Sequence, residues 1–427
     1  MGFESLIKMK AAQWLTSERK IKLERLLFET GRRLTRRPRE VIYFHRVDDP
    51  YCQLMVQVLP EFSKRFGVKV IPKVVERLPA DMYPDPARFE AYSILDASRL
   101  ARLYGAGFPY NATVPDRLAV GMAHRFLASV EDNDNFFGIA EEIGEALWQR
   151  NLVDVQELTK SADLTNDKLT KNEQLLRKLG HYASATLYYG GEFYFGLDRL
   201  DHLERRLNDE GCGDGEVHFE LQRLWRHEIR NLHKSIAGRS IELFFSVRSP
   251  YSYLGLEYAQ ELAAEAGVSI RLKPVLPMLM RGMKVPSAKG RYILNDVARE
   301  ARVEGIRFGK INDPLGLATK RAMALGFATI KEGYGLEFFT AFTRGVWSQG
   351  IDGTSDDGLK EILKNASLSS DWLSHALPEE DWMRIAETNQ RDMLMSGSWG
   401  VPTFRVGNTV LWGQDRMWAV LEALKQQ

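Results

Sequence analysis

Only two cysteines occur in 427 residues, Cys52 and Cys212, far apart and outside any metal-ligand spacing. That scarcity argues against a disulfide framework and against a zinc site, so no metal is expected, and it fits a reducing compartment. The chain opens without the apolar stretch of a secretory signal, and a cytoplasmic location is the expectation. Charge of one sign is equally scarce: 58 Lys and Arg stand against 57 Asp and Glu, a formal net charge of +1. The whole chain therefore offers no electrostatic footprint for nucleic acid, and no nucleic-acid partner is expected. No apolar run reaches the length a bilayer crossing needs, so no transmembrane segment is expected either. What the chain has is length, enough for two or three domains rather than one core.

Residues 1–39 form a basic segment in which Lys8, Lys10, Arg19, Lys20, Lys22, Arg25, Arg32, Arg33, Arg36 and Arg37 alternate with Leu6, Met9, Trp14, Leu15, Ile21, Leu26, Leu27 and Leu34. The spacing predicts amphipathic helix up to Pro38. Its expected role is an arm that docks on the body and keeps its charges in water, in preference to a membrane-surface or acidic-partner role.

Beyond the arm, an order of elements occurs twice. In residues 239–427, strands are expected over Ile241–Phe245, Val268–Leu272, Thr403–Val406 and Thr409–Trp412, with a helix over Tyr251–Ala266 and a last helix over Arg416–Leu424. Gly407-Asn408 separates the last two strands as a two-residue hairpin signal, and the residues near 276–398 read as a helical insert. This βαβ, insert, ββα order is the thioredoxin fold with a helical domain in its middle. Residues 40–210 repeat it: Val41–His45 and Val68–Ile71 flank a helix opening at Asp49-Pro50-Tyr51-Cys52. Laying Phe195-Gly196-Leu197-Asp198-Arg199 on Trp412-Gly413-Gln414-Asp415-Arg416 brings Ala185 onto Pro402 without a gap. The expectation is an α/β chain of two such domains, a tandem duplication, joined by a linker helix within 211–238 and packed as an internal pseudo-dimer, with a further homodimer open.

Chemistry concentrates where Phe244-Phe245-Ser246-Val247-Arg248-Ser249-Pro250-Tyr251-Ser252 turns from strand into helix. Pro250 suits a first helical turn, and the unpaired N–H groups and dipole at a helix N-terminus favour an anion. Thioredoxin-type oxidoreductases place Cys-x-x-Cys at this junction. Here both positions, Ser249 and Ser252, are serine, so the site can hold a thiolate but cannot supply one. Taken alone, Ser249 reads as an ordinary N-cap. In the first copy Asp49 and Ala185 replace Ser249 and Pro402, and a fixed carboxylate at that point would repel a thiolate, so that copy reads as non-catalytic. Cys52, at the Ser252 position, reads as a buried helix residue rather than a redox centre.

The segment Ser249-Pro250-Tyr251-Ser252-Tyr253-Leu254-Gly255 resembles the active-site segment of kappa-class glutathione transferases and 2-hydroxychromene-2-carboxylate isomerases, which belong to the DsbA-like group. Val285-Pro286-Ser287-Ala288-Lys289-Gly290-Arg291-Tyr292 with Asn295-Asp296, and Gly400-Val401-Pro402-Thr403-Phe404 with Trp412-Gly413-Gln414-Asp415-Arg416, are similar to the other signatures of that family. The resemblance implies glutathione as cofactor, with Ser249 as the catalytic hydroxyl on the sulfur. The backbone of Val401, before Pro402, would pair with the cysteinyl part, Gln414 and Asp415 would lie at the γ-glutamyl end, and Lys289 would face the glycine carboxylate. Instead of the family's usual Asn-x-Pro-Pro, the chain reads Met280-Arg281-Gly282-Met283-Lys284-Val285-Pro286, which leaves Arg281 or Lys284 to compensate.

The function this resemblance implies is a glutathione-dependent isomerase of the 2-hydroxychromene-2-carboxylate isomerase type, acting on a small electrophile or aromatic carboxylate. A kappa-like glutathione transferase needs the same activated sulfur, and a non-catalytic thioredoxin-fold scaffold would keep the fold without turnover. Both stay open at this point.

Overall fold

The computed structural model describes residues 3–160 and 167–427. It divides into two compact units. The carboxy-terminal unit comprises Met1–Lys22, Arg223–Val285 and Ile293–Gln427, and the amino-terminal unit comprises Leu23–Gln222 with Pro286–Tyr292.

In the amino-terminal unit, helices α1 (Phe3–Leu15, which clusters with the other unit) and α2 (Glu18–Leu34) lead into strand β1 (Glu40–His45), α3 (Pro50–Phe66) and β2 (Lys69–Val74). The insert follows as α4 (Pro86–Tyr104), α5 (Arg117–Ser129), α6 (Phe136–Trp148), α7 (Leu152–Leu158) and α8 (Lys168–Leu179). The hairpin β3 (Thr186–Tyr189) and β4 (Glu192–Phe195) and helix α9 (Leu200–Asp209) complete the domain. The sheet runs β2-β1-β3-β4, with β1 parallel to β2 and antiparallel to β3.

Helix α10 (Trp225–Ile236) opens the second domain, and β5 (Ser240–Phe245), α11 (Pro250–Ala266) and β6 (Ser269–Pro274) follow. Its insert holds α12 (Ser287–Val303), α13 (Leu317–Lys331), α14 (Gly335–Arg344), α15 (Asp356–Asn365) and α16 (Glu379–Met395). It ends in the hairpin β7 (Thr403–Val406) and β8 (Thr409–Trp412) and helix α17 (Met417–Lys425). The sheet order is β6-β5-β7-β8. Each domain thus has the thioredoxin arrangement with a helical insertion, as the sequence pattern predicts.

The two sheets share their registers. Phe44 pairs with Thr186 as Phe244 pairs with Thr403, and Thr186 pairs with Phe195 as Thr403 pairs with Trp412. Central strands carry the apolar load: Ile241, Leu243, Phe244 and Phe245 are fully buried, as are Val41, Tyr43 and Phe44. The matching helices α3 and α11 end at a left-handed glycine, Gly67 and Gly267, where no side chain obstructs the reversal. The hairpin glycine Gly407 lies at φ 56°, and Gly190 at φ 52°.

α1 docks on the carboxy-terminal unit, where Met9 is buried and Arg302 donates to the Thr16 carbonyl at 3.2 Å. Among the described residues no helix is long and apolar enough to cross a membrane.

Candidate functional site

Helix α11 begins where β5 ends, and the cap that starts it is the residue of interest. Ser249 has extended backbone (φ −89°, ψ 116°), and its Oγ accepts from the Ser252 N–H at 3.1 Å, with Pro250 in the first helical position. The same hydroxyl can donate to the Val401 carbonyl at 3.5 Å, so the cap and the loop before β7 meet at one oxygen. The Val401–Pro402 bond is cis. Gly255, one turn into α11, makes room for the proline ring: a Cβ there would lie 3.1 Å from Pro402 Cβ.

Ser252 does not share the exposure of Ser249. It is completely buried, and its Oγ accepts from the Ser246 N–H at 3.3 Å, so it closes the strand-helix turn from behind. Of the two serines, only Ser249 faces the loop.

Gln414 and Asp415 lie on the single helical turn Gln414–Arg416 that follows β8. Gln414 is buried, and its Nε2 is without a hydrogen-bond partner. A buried amide nitrogen left unpaired costs roughly 1–3 kcal/mol, which a ligand acceptor would recover. Asp415 Oδ1 pairs with Arg416 Nη1 at 3.1 Å and sits over Gly413, whose φ of 114° admits no side chain at low cost. Arg416 is buried, so this is an interior pair and not the surface pair such residues usually make.

The structure brings Ser249, Val401, Pro402, Gln414 and Asp415 into one unit, whereas Lys289 clusters with the other. There its ammonium donates to the Met82 carbonyl at 2.6 Å, and burial lowers its pKa to about 8. Lys284 is exposed. Arg281 lies on the short turn Met278–Arg281 after β6. β5 and β6 run parallel, and Val275 N–H donates to Phe245 O at 2.8 Å, so this turn leaves the same end of the sheet as the Ser249 junction. Arg281 Nε is buried without a partner, and desolvation holds its pKa below the ordinary arginine value.

Two of the signature segments meet at the junction, a contact that no motif announced. Tyr251 donates to Asp296 Oδ2 at 2.7 Å, and Asp296 is held by Arg299 at 2.6 Å, tying the first turn of α11 to α12. The amino-terminal unit has Tyr51 donating to Asp96 at 2.9 Å with the same separation of 45 residues. That repeated spacing was the available signal.

At the matching end of α3, Asp49 has nearly the same backbone (φ −96°, ψ 114°), but its carboxylate fills the helix terminus. It accepts from Tyr51 N–H at 3.0 Å and from the Ser184 hydroxyl at 2.6 Å, and burial raises its pKa against the pull of Arg46. Ala185 stands at φ 52° where the other unit has Pro402. Cys52 Sγ accepts from the N–H groups of Arg46 at 3.2 Å and Ala185 at 3.1 Å, and burial pushes its thiol well above the usual range. It is the packed counterpart of Ser252. Among the described residues, no group of His, Cys, Asp and Glu is arranged to hold a metal ion.

Comparison with known proteins bears on the second domain. Residues 240–425 match the family model of the DSBA-like thioredoxin domain. No curated protein matches the chain. Similar solved structures include a 2-hydroxychromene-2-carboxylate isomerase (22% identity, 44% of this chain and 95% of that one, TM-score 0.37). They also include a probable DsbA oxidoreductase from Streptomyces coelicolor (19%, 44% and 88%, TM-score 0.34) and the cytosolic disulfide reductase DsbM from Pseudomonas aeruginosa (17%, 44% and 98%, TM-score 0.32). With the family match falling on the sheet and insert described above, residues 240–425 form a DsbA-like thioredoxin domain.

Proposed function

We propose that the carboxy-terminal domain binds glutathione and that the protein is a glutathione-dependent isomerase of the 2-hydroxychromene-2-carboxylate isomerase type. The observation that carries this reading is the Ser249 hydroxyl, half-exposed at the N-terminus of α11 in a fold whose redox members need cysteine at that place. Bound glutathione would supply a thiolate able to add reversibly to a conjugated carbonyl substrate.

The chain's own residues fit that group. Ser249 donates to the anionic sulfur, giving up its long contact to Val401, and the helix terminus adds its partial positive charge. The Val401 backbone pairs with the cysteinyl part. Gln414 gains the partner its amide lacks, and Asp415 accepts from the γ-glutamyl ammonium. Arg281 takes the glycine carboxylate, because Lys289 is engaged with Met82 in the other unit.

Under this reading the two domains descend from one duplicated unit, and only the second holds ligand. Asp49 already fills the α3 terminus with its carboxyl, so a bound thiolate would find that place taken. Both cysteines are free and buried, in keeping with a reducing compartment such as the cytoplasm.

Calorimetry with glutathione should return about one site per chain. Incubation with glutathione and 2-hydroxychromene-2-carboxylate, followed by chromatography, should show the isomerised acid with glutathione recovered unchanged. A stable conjugate would instead assign a transferase. Absence of glutathione binding would remove the proposal.

A further inference from the structure

Helix α2 is amphipathic in the reverse sense: its charged face is inside and its leucines are outside. Arg25 makes a two-pronged pair with Glu192 at 2.7 and 2.8 Å. Glu29 is buried and accepts from Arg32 at 2.8 Å and from the Tyr189 hydroxyl at 2.7 Å. Behind them the fully buried Arg206 bridges Glu192 at 3.0 Å and Glu210 at 2.9 Å. Burial alone would raise the Glu29 carboxyl, but Arg32, Tyr189 and Arg39 more than offset it and bring it to about 2. These charges are bound, and they anchor the helix to the edge of the β4 hairpin.

Leu23, Leu27, Thr30 and Leu34 follow one another at four, three and four residues and so share the opposite side, with Leu26 beside them. The four leucines are 48%, 64%, 81% and, for Leu26, 63% exposed. A helix normally turns such a stripe to the core. The expectation of an arm that keeps its charges in water therefore fails for Arg25, Glu29 and Arg32.

Charge decides what could cover the stripe. Between residues 23 and 37 there are five arginines and two glutamates, and Arg25, Arg32 and Glu29 are used internally. Arg33, Arg36 and Arg37 are exposed at the end of the leucine face, Arg33 reaching Glu29 only at 3.9 Å, and Glu24 is exposed as well. We propose that this face of α2 docks on an anionic lipid surface, the leucines entering the headgroup region while the three arginines meet lipid phosphates. Long arginine stems can bury their methylenes and keep their guanidinium groups at the phosphate level. A second copy of the chain fits less well, since it would bring the same arginine-rich face. This inference is independent of the glutathione reading.

The test is co-sedimentation of the full chain with phosphatidylcholine vesicles, with and without phosphatidylglycerol. Sedimentation is expected with the anionic vesicles at low salt and release at high salt. Leu26→Ser with Leu27→Ser, and separately Arg33→Glu, Arg36→Glu and Arg37→Glu, should each cut the bound fraction roughly tenfold. Glutathione affinity should not change in either. Circular dichroism melting identifies a variant that has lost its fold, in which case the other variant decides. Failure of the wild-type chain to sediment with anionic vesicles would overturn the proposal, as would equal binding by both folded variants. A dimer seen by light scattering and split by the leucine changes would also overturn it, assigning the face to a second copy.

Discussion

Replacing Ser249 by alanine separates the two roles its hydroxyl can play. As a cap it accepts from the Ser252 N–H at 3.1 Å, and losing a serine cap costs about 1 kcal/mol. For a domain of this size that lowers the melting temperature by roughly 2–4 °C and is independent of glutathione. As a donor to sulfur, the hydroxyl acts on the charged form. A hydrogen bond to a charged group is worth roughly 1.5–3 kcal/mol, or about one to two pKa units. A free thiol near pKa 8.5 is only about 3% ionised at neutral pH, so such a shift decides whether thiolate or thiol predominates. Ser249→Ala should therefore reduce turnover roughly tenfold at pH 7 and much less above about pH 9, where the thiol ionises unaided. Thiolate absorbance near about 240 nm, titrated with glutathione bound, reads the pKa directly. If the mutant melts lower but the bound thiol keeps its pKa, Ser249 is a cap and nothing more. Ser252 cannot then be the substitute, because it is completely buried behind the strand-helix turn.

Three further outcomes are expected. Because burial raises the Asp49 pKa, its contribution to stability is full below the ordinary carboxylate value of about 4 and is lost as pH rises through the folded value. Asp49→Asn should thus raise the melting temperature at pH 7 and converge with wild type in acid; a lower melting temperature at pH 7 would refute this. Burial depresses His45 to about 3 and His124 to about 4, so their contribution is present above about pH 6.5 and is lost as pH falls through those values. Phe245 occupies the His45 position in the other domain, and hydrogen exchange between pH 7 and 4 should show β1 losing protection before β5. Simultaneous loss would count against the histidines. Arg281→Ala should weaken glutathione binding by about tenfold or more, while Lys289→Ala should leave it nearly unchanged. The reverse order in a calorimetric titration would return the glycine carboxylate to Lys289.

What the sequence determined by itself is local. The Ser-Pro start of α11, its glycine stop, the Gly407-Asn408 hairpin and the period-2 strands are signals spanning a few residues, and strand pairing at β7 and β8 followed from the turn length. The correspondence of Ala185 with Pro402 was legible for the same reason, and the shared sheet registers agree with it. Tertiary structure decided the rest. Lys289 has a long side chain whose partner depends on which surface its helix turn meets, and that surface is the loop at Met82. Tyr251 and Asp296 are 45 residues apart, and nothing local announces a hydrogen bond across that distance. The leucines of α2 carry a regular helical spacing that says one face is apolar, but whether that face goes inward depends on what the opposite face can bind. Here Glu192 pairs with Arg25 and the Tyr189 hydroxyl donates to Glu29, and this polar anchoring overrode the hydrophobic pattern.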